Sequence, residues 1–471
     1  MQSGSSPINP RLSPADVAGT PTREPLLFGA AVAFLVICVV AGGRAFLTPL
    51  SIVPLGLSGS FLLGVIVYTG AWQALLRQPL AVKVILAAII LLPALQLVPL
   101  PPSIWRALPG RELIVDAFDQ AGLGAIWQPF TLAPAATLQT ALQTLWLVAL
   151  FAAVLPLSRK ATDRLLGAVI ILVVLHTAIG VVQVASRGSI ANFLSSSDGR
   201  YLIGFFANKN HSALFLCFGA ILVLVRVSPA RLLDQSRIAI TLSLVLVLIV
   251  ATVATTSRAG ILLMAATLIG LAFAFAPPAI WRRRSVLAGL VAAIAVLAAG
   301  VLSLRTTQTV FAHYGNAGSD MRFLFWSWSR PLLARLMPLG GGFGIFPDAF
   351  ANGEMLAWVK PTQVNHVHNE YLEILIEGGV ASIVLLLILA LIIGRGAVRA
   401  WPLRNARAGR EGVAATLIIL LCAAHSLVDY PLRRMGIAAV FFIALALLLR
   451  VGAEPGRVPG KDRDAADPAR D

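Results

Sequence analysis

The chain has 471 residues, 58% hydrophobic and 12% charged, with a formal net charge of +16 and a mean hydropathy of +0.85. Soluble domains carry about 25% charged residues, so the composition excludes a soluble globular fold and describes a chain built for lipid. The positive charge is dispersed over short segments between apolar runs, a pattern that orients membrane spans and gives no basis for a nucleic-acid partner.

Residues 1–25 are polar and rich in Ser and Pro, and read as a disordered cytoplasmic tail. The run LLFGAAVAFLVICVVAGG follows without a convincing small-x-small cleavage site, so it reads as an uncleaved first span. A helix needs roughly 20 apolar residues to cross the hydrocarbon core. On that criterion spans are expected near 26–43, 49–70, 80–99, 139–157, 164–185, 211–227, 238–256, 259–277, 285–304, 373–394, 412–430 and 435–450. The second is expected to be broken at Pro54 and Gly56. The fold class is therefore all-α, a polytopic membrane protein of about twelve helices. Residues 26–304 hold spans one to nine with short loops, 305–372 a large periplasmic loop bearing short helices, 373–450 the last three spans, and 451–471 a second disordered tail. Cys38, Cys217 and Cys422 each lie in an apolar run and read as small hydrophobes.

Of the 37 Lys and Arg, the segments on the N-terminal side of the membrane hold 23 and the opposite segments 14, although the latter include the longest loops. That bias places both termini in the cytoplasm. Three outer segments exceed simple connectors. In 100–138, Trp105, Leu108, Val115 and Phe118 form an apolar set suited to a membrane surface. Segment 186–210 ends in GFFANKNH. Segment 305–372 carries MRFLFWSWSRPLLARL, expected as a short amphipathic helix, then the glycine turn LGGGFGIF, then VNHVHNEY.

Polar residues that loops do not explain gather on this outer side. Asn208, Lys209, Asn210 and His211 open one span, Arg258 sits in the short turn TTSRAG, and Arg322 precedes Trp326 by four residues on one helical face. His366, His368 and Asn369 introduce another span, and Arg433 and Arg434 lie in the last outer turn. Cations from distant parts of a sequence at one membrane face suit an anionic group such as phosphate. Blander readings compete. An arginine at a helix end can snorkel to headgroups, the better account of Arg44, Arg330 and Arg335. Asn208 can simply cap a helix. His176 and His425, inside apolar spans, are expected to make interhelical hydrogen bonds. Glu370, Glu373 and Glu377 share a helical face near a positive helix end. His-x-His raises zinc, but no HExxH or cysteine pair accompanies it, and no metal is expected.

VNHVHNEYLEILIEGG resembles the signature of the O-antigen ligase and polymerase superfamily, in which a His-Asn pair precedes an apolar helix with acidic residues. GFFANKNHSALFL resembles that superfamily's F-x-N-x-N-x-x-A element, TTSRAGILL its T-x-S-R-G, and MRFLFW with PLGGGFGIF its R-x-x-x-W and G-x-G segments. HSLVDYPLR extends the likeness to residue 433. One departure is TSRAG where S-R-G-G is commoner. It changes a glycine beside the arginine and keeps the arginine.

The resemblance implies a GT-C-like, metal-independent membrane glycosyltransferase of the bacterial inner membrane, active at the periplasmic face and without a cofactor. Its partners would be a polyprenyl-pyrophosphate-linked glycan donor, a glycan or lipid A-core acceptor, and the bilayer itself. By motif, Arg258 and Arg322 would hold the pyrophosphate and His368 would be the base, with Asn369 beside it to orient the ring. Asn208 and Asn210 carry over as motif positions, and with Lys209 between them are expected on the substrate-binding side. Protein O-glycosylation, or a flippase that grips the same pyrophosphate without needing a base, are the alternatives.

Overall fold

The computed structural model describes residues 20–43, 49–190, 199–226, 235–276, 321–353 and 364–451. The expected ninth span at 285–304, most of both tails and Arg44 lie outside them.

Eleven helices account for the remaining expected spans. Eight are long and apolar enough to cross a membrane: α1 (Thr20–Ala41), α2 (Pro49–Thr69), α7 (Pro134–Val154), α8 (Arg159–Ala185), α10 (Gln235–Ala254), α11 (Arg258–Phe275), α14 (Glu370–Ala400) and α15 (Arg407–His425). Three are shorter but apolar: α4 (Leu80–Leu95), α9 (Lys209–Val225) and α16 (Met435–Arg450). The rest are the short helices α3 (Trp72–Leu76), α5 (Pro102–Trp105), α6 (Glu112–Gln120), α12 (Met321–Leu336) and α13 (Phe346–Ala351). The protein is an all-α, multi-pass membrane protein.

Helices that are apolar on every face belong in the interior, and α9 and α16 behave so. Leu214, Phe215, Leu216, Cys217 and Phe218 of α9 are fully buried, as are nearly all residues of α16. α9 packs against α8, α10, α11 and α15, while α16 packs against α1, α7, α14 and α15. The three cysteines are buried and unpaired.

Two expectations are corrected. Pro54 does not break its span: α2 runs unbroken from Pro49 to Thr69, as membrane helices can where neighbouring groups and local adjustments satisfy the backbone that a proline frees. Trp105 does not face the membrane. It is 1% exposed, its edge meets Phe118 at 5.7 Å, and its indole N–H donates to Ile126 O at 3.0 Å. That excursion closes on itself through the two-residue strands β1 (Pro99–Leu100) and β2 (Gln128–Pro129), antiparallel with Pro99 opposite Pro129.

The real helix interruption lies in α14 at Gly379, where φ is 61° and ψ −156°. A break inside lipid frees carbonyls that need donors. The glycine turn after α12 supplies them: Gly341 N donates to Ile376 O and Gly342 N to Glu377 O, both at 2.9 Å, while Val380 N donates to Pro338 O at 2.9 Å. Gln96 of the α4 end adds a fourth contact, Nε2 to Glu377 O at 3.1 Å. Gly342 takes φ 107° with Thr131 where a Cβ would stand, so both the backbone sign and the space demand glycine. A small apolar cluster of Leu336, Ile345, Phe346, Phe350, Val367 and Ile376 then fixes α12 and α13 over the loop that precedes α14.

Candidate functional site

α9, α11, α14 and α16 begin, and α15 ends, at the same end of the bundle, the end expected from the charge bias to face outward. The loop between α15 and α16 places Asp429 there, with no exposed surface. Asn210 Nδ2 donates to its Oδ2 at 2.7 Å, and Asn208 Nδ2 lies 3.3 Å from the same oxygen. His368 Nδ1 lies 3.3 Å and His211 Nε2 3.4 Å from Oδ1. Arg322 Nη2 and His425 Nε2 lie 4.0 and 3.8 Å from Oδ2. Burial opposes charge on Asp429, but His211 and His368 outweigh it and hold the carboxyl well below its ordinary range.

Local rules explain the placements. Asn208 is the N-cap of α9, its side chain accepting from Asn210 N at 2.8 Å. Capping and the contact with Asp429 are both made by this one residue. Ser257 caps α11 by accepting from Gly260 N at 3.0 Å, and donates its hydroxyl to Asn210 Oδ1 at 2.6 Å. The Thr-Ser-Arg turn is thus linked through Asn210 to Asp429 and on to His368. Gly260, the glycine retained in TSRAG, packs its Cα onto Ala213 of α9 with no room for a Cβ. Lys209 Nζ donates to Thr256 Oγ1 at 3.1 Å and lies 4.2 Å from the Tyr201 ring centroid. The charges of Arg258 and Arg322 both reach it. The structure therefore brings Asn208, Lys209, Asn210, Arg258, Arg322 and His368 to one place.

His368 is one of three non-glycine residues with positive φ among the described residues, at 55°. Such conformers cost of order 1–3 kcal/mol and concentrate at functional sites. Its ring stacks on Phe325 and meets Tyr430 edge-on, and about a quarter of the side chain is exposed. Trp326 locks α12 to this loop by donating to Val367 O at 3.1 Å. Asn369 lies apart from the imidazole's hydrogen bonding: its Oδ1 accepts from Leu372 N at 3.1 Å and caps α14. Asp429 is the group beside the His368 ring.

His366 faces the other way, 2.7 Å from Glu373 Oε1. Burial lowers its pKa to about 4, with the Glu373 charge opposing. Glu373 also accepts from Val367 N at 3.0 Å, and Glu377 from Gly344 N at 2.8 Å. Arg433 pairs with both glutamates; burial opposes its charge, but the two carboxylates raise its pKa. Glu370 receives Ser426 Oγ at 2.7 Å. The residues Glu370, Glu373 and Glu377 are thus buried partners of specific donors, and Arg433 belongs to them. A cavity of about 490 Å³ adjoins this cluster, lined also by Gln139, Thr140, Gln143 and Thr144 of α7.

His176 makes the expected interhelical bond, Nε2 to Ser212 Oγ at 2.8 Å, and accepts from Phe205 N at 3.1 Å. His425 does not: neither ring nitrogen has a hydrogen-bond partner among the described residues, and it faces Asp429. Asp429 is the residue that reading the sequence for sites passed over. It is the one acidic residue between Glu411 and Glu454, and an isolated acid among apolar runs is itself a signal. Among the described residues, no group of three or more His, Cys, Asp or Glu has metal-holding geometry.

Residues 242–387 match the family described as O-antigen ligase. The resemblance seen in the motifs is borne out over those residues. The O-antigen ligase match takes in Ser257, Arg258, Arg322, the glycine turn and the His366–Asn369 loop, whereas Asn208 to His211 and Asp429 lie outside it and join it through the contacts above. No curated protein matches the chain.

Proposed function

We propose that the protein is a bacterial inner-membrane glycosyltransferase that moves a glycan from a polyprenyl-pyrophosphate carrier onto a glycan or lipid A-core acceptor at the periplasmic face. The observation that carries this reading is the His368 ring beside a buried carboxylate, with Lys209, Arg258 and Arg322 gathered around the same point. Pyrophosphate is a competent leaving group, so the main requirement is fixed positive charge where negative charge builds up. Guanidinium groups stay charged and match phosphate oxygens in pairs.

In the reaction the anomeric carbon–oxygen bond to pyrophosphate breaks and the acceptor hydroxyl oxygen bonds to the anomeric carbon. The acceptor proton passes to His368, and polyprenyl pyrophosphate leaves with the bond's electron pair. Asp429 beside Nδ1 orients the imidazole, presents Nε2 to the acceptor and stabilises the imidazolium that forms, the role a carboxylate plays in other His–Asp pairs. A carrier that only flips the lipid has no use for that pair. In this scheme the guanidinium and ammonium groups take the place of a metal. Purified protein given lipid-linked donor and acceptor is therefore expected to form the glycosidic product with a divalent-metal chelator present. Loss of transfer with chelator, restored by a metal ion, would contradict the scheme.

A further inference from the structure

The opposite end of the bundle, where α9, α11 and α14 finish and α15 begins, holds a second set of features that glycan transfer does not use. Two cavities lie between the helices there. One, of about 250 Å³, is walled by Leu166, Leu222, Ile418 and Leu447 of α8, α9, α15 and α16, and lined also by Asp163 and Glu411 with their partners Arg226 and Arg407. The other, of about 450 Å³, is walled by Leu268, Leu271 and Phe275 of α11. Val225 and Arg410 line both.

The neighbouring charges are committed. Arg226 donates to Asp163 O at 2.8 Å, Arg407 pairs with Asp163 and Glu411, and Arg404 donates to Trp401 O at 3.1 Å while lying over its ring. Arg410 is half-buried, and its side chain has no ion pair or hydrogen bond among the described residues. A guanidinium without a counter-charge among the described residues, lining two cavities whose remaining walls are mainly apolar side chains at the ends of membrane helices, is complementary to one kind of molecule: an anionic head carrying two apolar chains.

We propose that Arg410 and these two cavities form a binding site for an anionic phospholipid, with its phosphodiester on Arg410 and one acyl chain in each cavity. Basic pockets between membrane helices recognise such headgroups, and arginine binds phosphate oxygens with directional hydrogen bonds. The leucine, isoleucine, valine, phenylalanine and alanine side chains that make up most of both linings distinguish this from a site for soluble phosphate.

The test is thermal denaturation of the purified full chain in detergent with added phosphatidylglycerol, phosphatidylcholine of the same chains, or inorganic phosphate. Phosphatidylglycerol is expected to raise the melting temperature, and the other two are not. Arg410→Gln should weaken the dependence on phosphatidylglycerol by about one to two decades, Arg410→Lys by less, and Arg335→Gln at the other end not at all. An equal response to phosphatidylcholine means general lipid solvation, a full response to inorganic phosphate means a soluble-anion site, and an unaltered response in Arg410→Gln means that the arginine is irrelevant. Each overturns the proposal. Native mass spectrometry of the unsubstituted protein with both lipids at equal concentration needs no variant: preferential retention of phosphatidylglycerol supports the site, and equal retention removes it.

Discussion

Two buried carboxylate clusters share one end of the bundle, and they are wired differently. Around Glu373 and Glu377 every carboxylate oxygen has a partner: Arg433 and His366 meet Glu373 Oε1, Arg433 meets Glu377 Oε2, and Val367 N and Gly344 N take the other two. Around Asp429 one carboxylate faces three imidazoles and Arg322, with Lys209 close by, and the His368 ring stays partly exposed. The first cluster is closed and joins the α14 break to the α15–α16 turn. The second holds surplus positive charge and a strained histidine. Buried carboxylates whose oxygens are all met within the protein build structure, and positive charge left in excess is what an anionic ligand would answer.

Substitutions should separate the two clusters. Asp429→Asn keeps the shape but removes the orienting charge, and turnover is expected to fall by about two to four orders of magnitude, the range for losing an effective general base, more than any loss of folded protein accounts for. Arg433→Met should do the reverse. Breaking a buried pair costs about 3–5 kcal/mol of stability, so denaturation should shift strongly, and adding Glu377→Gln should recover part of the loss. If Arg433→Met spares stability and removes turnover, the two clusters have been assigned the wrong way round.

A smaller effect is expected at the cations. Arg258→Ala and Arg322→Ala should each lose about one or two decades of turnover, because a charge-assisted contact is worth about 1.5–3 kcal/mol, and lysine at either position should restore part. Near-normal turnover in a folded alanine variant would reduce that arginine to a headgroup contact. The smallest effect concerns acid. His366 is held neutral, its pKa lowered to about 4 by burial, so below the unfolded value of about 6.5 the unfolded chain binds the extra proton. Its stabilising share is complete above pH ~6.5 and is lost as pH falls toward 4, with a slope of at most about 1.4 kcal/mol per pH unit. His366→Asn should flatten that part of the stability–pH curve, and an unchanged curve would show that His366 is not the group responsible.

The spans were legible because lipid demands long apolar runs, and eleven of the twelve expected ones correspond to helices in the described residues. His368, Arg258 and Asn210 stood out because a polar residue at the edge of an apolar run is costly without a purpose. Asp429 did not, since its role comes from neighbours on α9, α12 and the loop before α14, far away in sequence. The same tertiary contacts moved Arg433 from a candidate phosphate ligand to a partner of two glutamates, and made His425 a neighbour of Asp429 rather than an interhelical donor. Helix breaks were misjudged for a related reason. Pro54 looked disruptive and is accommodated, while Gly379 breaks α14 because the glycine turn at 340–344 is there to answer its carbonyls.

The central claim is that His368 acts on the acceptor while the cations hold the donor. Purified His368→Ala should be compared with the unsubstituted protein in two assays, equilibrium binding of lipid-linked donor and single-turnover transfer to acceptor. The account predicts donor affinity within a few-fold of normal and a loss of transfer of at least about two orders of magnitude. Transfer that survives His368→Ala, or transfer lost only in step with donor binding, would contradict it.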